Sequence, residues 1–100
     1  MNIVKMYFLL FHVQPRPDLE DANDIGGAYV NCWIEADSIK QAEQIAKQKI
    51  GDLKWDILEK DDAFELIPGH YAPDSDGFEF YQQALIDKWV LRFHTYPAEE

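Results

Sequence analysis

The chain has 100 residues, 47% of them hydrophobic and 14% aromatic, which is enough apolar material for the core of one domain over residues 1–100. Nineteen acidic residues against nine Lys and Arg give a net charge of −10, which disfavours nucleic acid or an anionic membrane as a partner. A single cysteine excludes an intramolecular disulfide framework and a cysteine-rich metal site.

The N-terminal segment MNIVKMYFLLFHVQP contains a lysine and a short apolar run, but no small-residue cleavage site follows the run. The run is also far shorter than the ~20 residues that span a bilayer. We interpret it as a strand from Ile3 to Gln14. Apolar residues on both of its faces are typical of a central strand that is covered on both sides. With no export signal and one free thiol, we expect a cytoplasmic protein.

An acidic loop from Asp18 to Gly27 separates this strand from the next and has room for one helical turn. The second strand, Ala28 to Ala36, alternates clearly. Small residues occupy one face, and Tyr29 and Trp33 occupy the other. The small-residue face suits packing against a helix.

The strongest helix signal begins at Asp37 or Ser38. Ser38 and Gln41 have the spacing of a capping box, in which each side chain satisfies a free backbone amide. Small and apolar residues then recur at helical spacing. Gly51 is predicted to end this helix.

A third strand is predicted from Leu53 to Glu59. The charged residues 60–62 form either the turn of a hairpin that returns over Ala63 to Ile67, or an exposed part of one long strand. Both interpretations fit the alternation, so the sequence leaves them open.

A second helix is predicted to begin at Asp76, with Glu79 completing a capping-box-like pair. The segment WVLRFHTY, from Trp89 to Tyr96, is rich in strand-forming residues and alternates, which predicts a fourth strand. The alternative is that the second helix continues to His94.

This ββαβαβ order predicts an α+β fold: a two-layer sandwich with a mainly antiparallel four-stranded sheet and both helices on one face. The segments AYVNCWIEADSIKQAEQIAKQKI and FYQQALIDKWVLRF resemble packing segments of small ferredoxin-like domains. The resemblance implies a fold and no activity, because such folds host many unrelated functions. The chain departs from the family in having an acidic loop where the family has a helix between the first two strands.

If both helices cover one face of the sheet, an aromatic face is left open. We predict that Tyr7, Phe11, Tyr29 and Trp33 form this interface or ligand face. Exposed apolar patches of this kind mark partner sites on soluble proteins, so we expect a homodimer. The alternative is that a loop, either residues 68–75 or the acidic loop, folds across the face.

Candidate metal-binding residues cluster at His70, Asp74 and Asp76. A histidine with two carboxylates could hold a divalent metal, but Asp76 is already assigned as a helix cap and the loop offers no second histidine. We interpret the segment as a polar loop, and the acidic loop before the second strand as solvated. We therefore expect no metal and no cofactor.

Candidate catalytic residues are equally few. Cys32 lies on the predicted core face and is interpreted as a packing residue. His12 and His94 are on different strands, and nothing in the sequence places them beside the thiol. Arg92 is expected to form a salt bridge with Glu35 across the sheet; the alternative is that it pairs with a carboxylate ligand. No catalytic residue is assigned.

These observations favour a small, acidic, non-catalytic binding or structural domain that self-associates through the aromatic face. One alternative is a small-ligand sensor or enzyme with an aromatic-lined cavity at a dimer interface. Another is an immunity-type protein that binds a basic protein partner.

Overall fold

The computed structural model describes residues 5–67 and 69–98. In chain order, its helices and strands are β1 (Lys5–Pro15), β2 (Ile25–Ala36), α1 (Ile39–Asp52), β3 (Trp55–Leu66), α2 (Asp76–Asp87) and β4 (Trp89–Pro97). A single 3-10 turn, Ala22–Asp24, lies in the acidic loop. The predicted start of the first strand at Ile3 falls outside the described residues.

The four strands form one antiparallel sheet in the spatial order β3-β1-β2-β4. The apolar strand β1 is therefore central, as its two apolar faces predict. Because β2 and β3 are both antiparallel to β1, they run in the same direction, and α1 makes the crossover between them. The α+β class with a four-stranded antiparallel sheet and two helices is confirmed. The spatial strand order is not the ferredoxin-like one, so that detail is not confirmed.

The two helices lie on opposite faces of the sheet, which makes three layers. Alternate residues of β1 belong to different hydrophobic clusters: Leu9 packs in the cluster that includes α1, and Met6 packs in the one that includes Ala84 of α2. The prediction of a two-layer sandwich with both helices on one face is therefore wrong. The physical reason is that both faces of β1 are apolar, and a helix on each face removes both from water.

The face under α1 holds the larger part of the core. Ala42, Ala46 and Ile50 are spaced four residues apart on α1 and are fully buried. They pack on the alternate residues of β1 and β2 that point to this face, among them Phe11 and Val30, which are also fully buried. The small residues of β2 suit this close approach, as the sequence indicates.

The helix ends confirm one sequence signal and correct two. The Ser38 side chain accepts a hydrogen bond of 3.1 Å from the backbone amide of Gln41, so the predicted Ser38 cap of α1 is confirmed. The reciprocal half of the predicted capping box differs, because the Gln41 side chain accepts from the backbone amide of Asp37 at 2.7 Å and not from that of Ser38. Gly51 does not end α1, which continues to Asp52. Leu53 is the residue after the helix, and the chain turns away at Lys54, which has a positive φ of 72°. The cap of α2 is Ser75 rather than Asp76, since the Ser75 side chain accepts from the Phe78 amide.

The structure decides between the alternatives that the sequence leaves open for residues 53–67 and for the segment from Trp89. β3 is one long strand, and two register shifts against β1 accommodate its charged middle. The segment from Trp89 is a strand, because α2 ends at Lys88 in the left-handed conformation (φ 76°), which turns the chain out of the helix. Within residues 5–67 and 69–98, no helix is both long and apolar enough to cross a membrane.

Candidate functional site

The sheet face that carries α2 is only half covered. We call the covered half the α2 cluster. Its buried members are Met6, Trp33, Leu66 and Ala84, and the partly buried residues against them are Phe8, Phe64, Tyr71, Phe80, Tyr81 and Val90. The cluster is largely aromatic, and its rings lie in contact: the Trp33 and Phe80 centroids are 5.1 Å apart, and those of Phe8 and Trp33 are 5.5 Å apart.

The four residues predicted to share an aromatic face do not share one. Tyr7 and Phe11 point to the α1 face and are buried there, at 5% and 0% exposure. Tyr29 and Trp33 are on the other face, as alternation along β2 requires. Only Tyr29 is exposed, at 42%, while Trp33 is 3% exposed beneath α2 and Tyr71. The alternative that residues 68–75 cover this face is thus partly correct, since Tyr71 belongs to that segment.

An open pocket of about 390 Å³ lies between α2 and the uncovered half of the sheet. We call it the α2 pocket. Its lining residues are Phe8, Asn31, Trp33, Tyr71, Asp76, Gly77, Phe80, Arg92 and His94. Gly77 allows Tyr71 to reach its place in the wall, because a Cβ at position 77 would meet the Tyr71 ring. The aromatic rings form the walls, and polar side chains of β2 and β4 form part of the floor.

The polar floor comes from two paired strands. Asn31 of β2 lies directly opposite Arg92 of β4, and His94 is on the same side of β4 two residues further on. The Arg92 guanidinium carbon lies 4.7 Å from the centre of the Phe80 ring, a cation–π arrangement. The predicted Arg92–Glu35 salt bridge is wrong: Glu35 pairs with Lys88 at 3.4 Å instead.

Next to the pocket, the uncovered half of the sheet carries a second group of rings. His12 Nε2 and the Tyr96 hydroxyl are 2.6 Å apart, and the His12 ring stacks on Tyr29 with centroids 4.6 Å apart. Tyr29 in turn lies opposite His94 in the register of β2 and β4. His12 and His94 are therefore on the same face, with Tyr29 between them.

Cys32 is not part of this site. Its side chain is fully buried on the α1 face, whereas both of these histidines are on the opposite face, so the weak Cys–His arrangement considered from sequence does not form. Burial raises the pKa of the Cys32 thiol to about 12. The thiol is accordingly a packing group, in agreement with the interpretation from sequence.

The loop residues His70, Asp74 and Asp76 also have defined places. His70 packs edge-on against Tyr71, with centroids 4.8 Å apart. Asp74 is exposed in the turn that precedes α2, and Asp76 is the first residue of α2 and lines the pocket. Across the described residues, no three His, Cys, Asp or Glu side chains are close enough together to hold a metal ion.

Two acidic side chains on β3 influence each other. Asp61 hydrogen-bonds to Glu59, and this contact, together with the repulsion between the two charges, raises the pKa of Glu59. Glu59 lies opposite His12 in the register, so this group borders the uncovered half of the sheet.

Sequence reasoning missed the pocket because it placed α2 on the wrong face. A usable signal was present: Met6 and Phe8 make the second face of β1 apolar, and Phe80 and Tyr81 on the second helix supply rings to cover it. Comparison of the chain with protein-family models, with curated proteins and with solved structures finds no match.

Proposed function

We propose that the chain is a non-catalytic binding domain for a small molecule and that the α2 pocket is its binding site. The observation that carries this proposal is the pocket itself, about 390 Å³ in volume. Ligand pockets are commonly ~300–1,000 Å³, mostly apolar, with a few placed polar groups. The α2 pocket falls within that range of volume and combines both kinds of group: Phe8, Trp33 and Phe80 provide apolar walls, while Asn31 and Arg92 provide polar groups on the floor.

Recognition is favoured over catalysis by the positions of the reactive groups. The thiol of Cys32, the strongest potential nucleophile in the chain, is sealed in the core on the opposite face. Among the polar groups that line the pocket, Arg92 is a fixed cation and Asn31 is an amide that both donates and accepts, so both are suited to orienting a ligand.

The test is a binding measurement on a variant in which the pocket is filled. A set of small aromatic acids, amides and amines is titrated into the protein, with tryptophan fluorescence and NMR amide shifts as readouts. Asn31→Phe places a ring on the pocket floor and is expected to abolish binding. Ile39→Phe, a matched change at an exposed position on α1, is expected to leave binding intact. Binding that survives Asn31→Phe, or no binding by any compound, would overturn the proposal.

Self-association remains a second candidate, favoured by the exposure of Tyr29 on the uncovered half of the sheet. The apolar area available is smaller than the sequence predicts, since Trp33 is covered. We propose that two copies meet through this half, around Tyr29 and His12. Light scattering at micromolar concentration tests it: Tyr29→Lys should convert a dimer to a monomer, and Leu58→Lys, at another exposed apolar position, should not. A wild-type protein that stays monomeric would rule it out.

A further inference from the structure

Arg92 lines the α2 pocket, and within residues 5–67 and 69–98 it forms no ion pair with a carboxylate. In the part of the chain that the structure describes, five ion pairs are formed, and their cations are Lys5, Arg16, Lys47, Lys60 and Lys88. Arg92 is not among them, although the chain has 19 acidic residues against nine Lys and Arg. In a protein so rich in carboxylates, a guanidinium left at a pocket is available to a carboxylate from outside.

The Arg92 side chain is also held in place. Its guanidinium lies over the Phe80 ring, 4.7 Å from the centroid, which restricts the side chain before any ligand arrives. A guanidinium presents its N–H groups in a planar fork that matches the two oxygens of a carboxylate. Because the fork is held in advance, less conformational entropy is lost when it forms a two-point contact.

Two polar side chains next to Arg92 add further polar groups to this part of the pocket. The Asn31 amide lies opposite Arg92 in the register, and His94 follows on the same side of β4. Asn31 can donate an N–H to an oxygen that Arg92 already holds. The aromatic walls beside these groups fit the apolar part of the same molecule.

Asp76 limits the ligand to one negative charge. It is the first residue of α2 and lines the pocket, so a second anionic group placed toward the helix would meet a like charge. This disfavours a phosphate dianion or a dicarboxylate and favours a single carboxylate directed to Arg92.

Building on the proposed function, we propose that the ligand class of the α2 pocket is the aromatic monocarboxylates: an apolar ring between Phe8, Trp33 and Phe80, with its carboxylate on Arg92. Phenylacetate is the simplest probe of this class. Phenylacetamide and phenethylamine have the same ring and chain length but carry a neutral and a cationic group, respectively.

The experiment compares these three probes by isothermal titration and by NMR amide shifts at low salt. Phenylacetate is expected to bind at least about tenfold more tightly than phenylacetamide, because its contact to arginine is charge-assisted. Phenethylamine is expected to bind more weakly still. Arg92→Gln should weaken phenylacetate binding at least about tenfold and leave phenylacetamide binding unchanged. Arg16→Gln, the same change at an arginine paired with Asp56, should alter neither.

The outcomes separate this inference from the proposed function. If acid and amide bind equally, and Asn31→Phe abolishes both, the pocket is a ligand site but the carboxylate class is wrong. If phenylacetate binding is retained in Arg92→Gln, the role of Arg92 is wrong. If none of the three probes binds, the inference is overturned, and the wider compound set then decides the proposed function by itself.

Discussion

The indole N–H of Trp33 donates a hydrogen bond of 2.9 Å to the hydroxyl of Tyr71. The bond joins the middle of β2 to the segment that precedes α2, and it satisfies the one polar group of a side chain that is 3% exposed. Tyr71 thereby fixes both the cover over Trp33 and one wall of the α2 pocket.

Tyr71→Phe should therefore destabilise the fold by about 1–2 kcal/mol, since it leaves the buried indole N–H without a partner. Urea unfolding followed by circular dichroism measures the change. Tyr81→Phe is the matched control, because the Tyr81 hydroxyl makes no side-chain hydrogen bond within residues 5–67 and 69–98, and its loss should cost little. Equal stabilities for the two variants would show that the Trp33–Tyr71 bond contributes nothing.

Gly27 is required by the close approach of Tyr96. A Cβ at position 27 would meet the Tyr96 hydroxyl and would lie 2.9 Å from the Val13 carbonyl oxygen. Gly27→Ala should thus displace Tyr96 from His12 and destabilise the protein by about 1–3 kcal/mol. The His12 ring resonances should shift at the same time.

Gly51→Ala is the opposite case and serves as the control for Gly27→Ala. Gly51 lies within α1, and its nearest neighbour to an added Cβ is an Arg16 nitrogen at 3.6 Å, an ordinary contact. The change should stabilise α1 by about 0.5–1 kcal/mol through helix propensity. The midpoint temperatures of thermal unfolding of the two variants should shift in opposite directions relative to the wild type. Shifts of the same sign would contradict the packing described for Gly27.

Cys32 should make stability depend on alkaline pH. Burial raises its pKa from an ordinary 9.0 to about 12, so the folded state favours the neutral thiol. The stabilisation is complete below pH 9 and is lost as the pH rises toward 12, because the unfolded chain releases the proton first. Lysines and tyrosines titrate in the same range, so the measurement is the difference between wild type and Cys32→Ala. The difference in the free energy of unfolding between the two proteins should narrow from pH 9 to pH 12. A difference that stays constant would contradict the raised pKa of Cys32.

The pKa of Glu43 should rise when Lys60 is removed. Hydrogen bonds from Lys60 and Lys47 hold the pKa of the Glu43 carboxyl below its usual value. Lys60→Met should raise this pKa in a carbon-detected NMR titration. Lys40 is an exposed lysine of α1, the helix that carries Glu43, and Lys40→Met should leave the pKa of Glu43 unchanged. A carboxyl whose pKa is lower in the folded state stabilises the fold at pH values above its unfolded-state pKa, and this stabilisation is lost as the pH falls. Lys60→Met should therefore slightly reduce the stability that the protein loses on acidification.

The sequence predicts the local structure of this chain well and its layering poorly. The Ser38 cap, the alternation of β2 and the final strand from Trp89 are confirmed because each depends on residues close together in the chain. Local hydrogen bonding and alternation set these features.

The helix layering depends on tertiary contacts that alternation alone does not fix. Two apolar faces on β1 show that both sides are covered but do not assign a helix to each. With α2 on the wrong face, the sequence prediction leaves Trp33 exposed and contains no pocket beside it. Alternation predicts the correct side of β4 for Arg92, but its contact with Phe80 depends on where α2 lies.

The division of the core into two clusters by the sheet has a further consequence for how the protein opens. The cluster beneath α1 holds the fully buried side chains of largest volume, such as Phe11 and Leu9, whereas the buried part of the α2 cluster is small. Detachment of α2 would expose Trp33 to water and leave the α1 side intact. In native-state hydrogen exchange, the α2 amides should therefore exchange through a partial opening whose free energy is lower than that of global unfolding. The α1 amides should exchange only through complete unfolding.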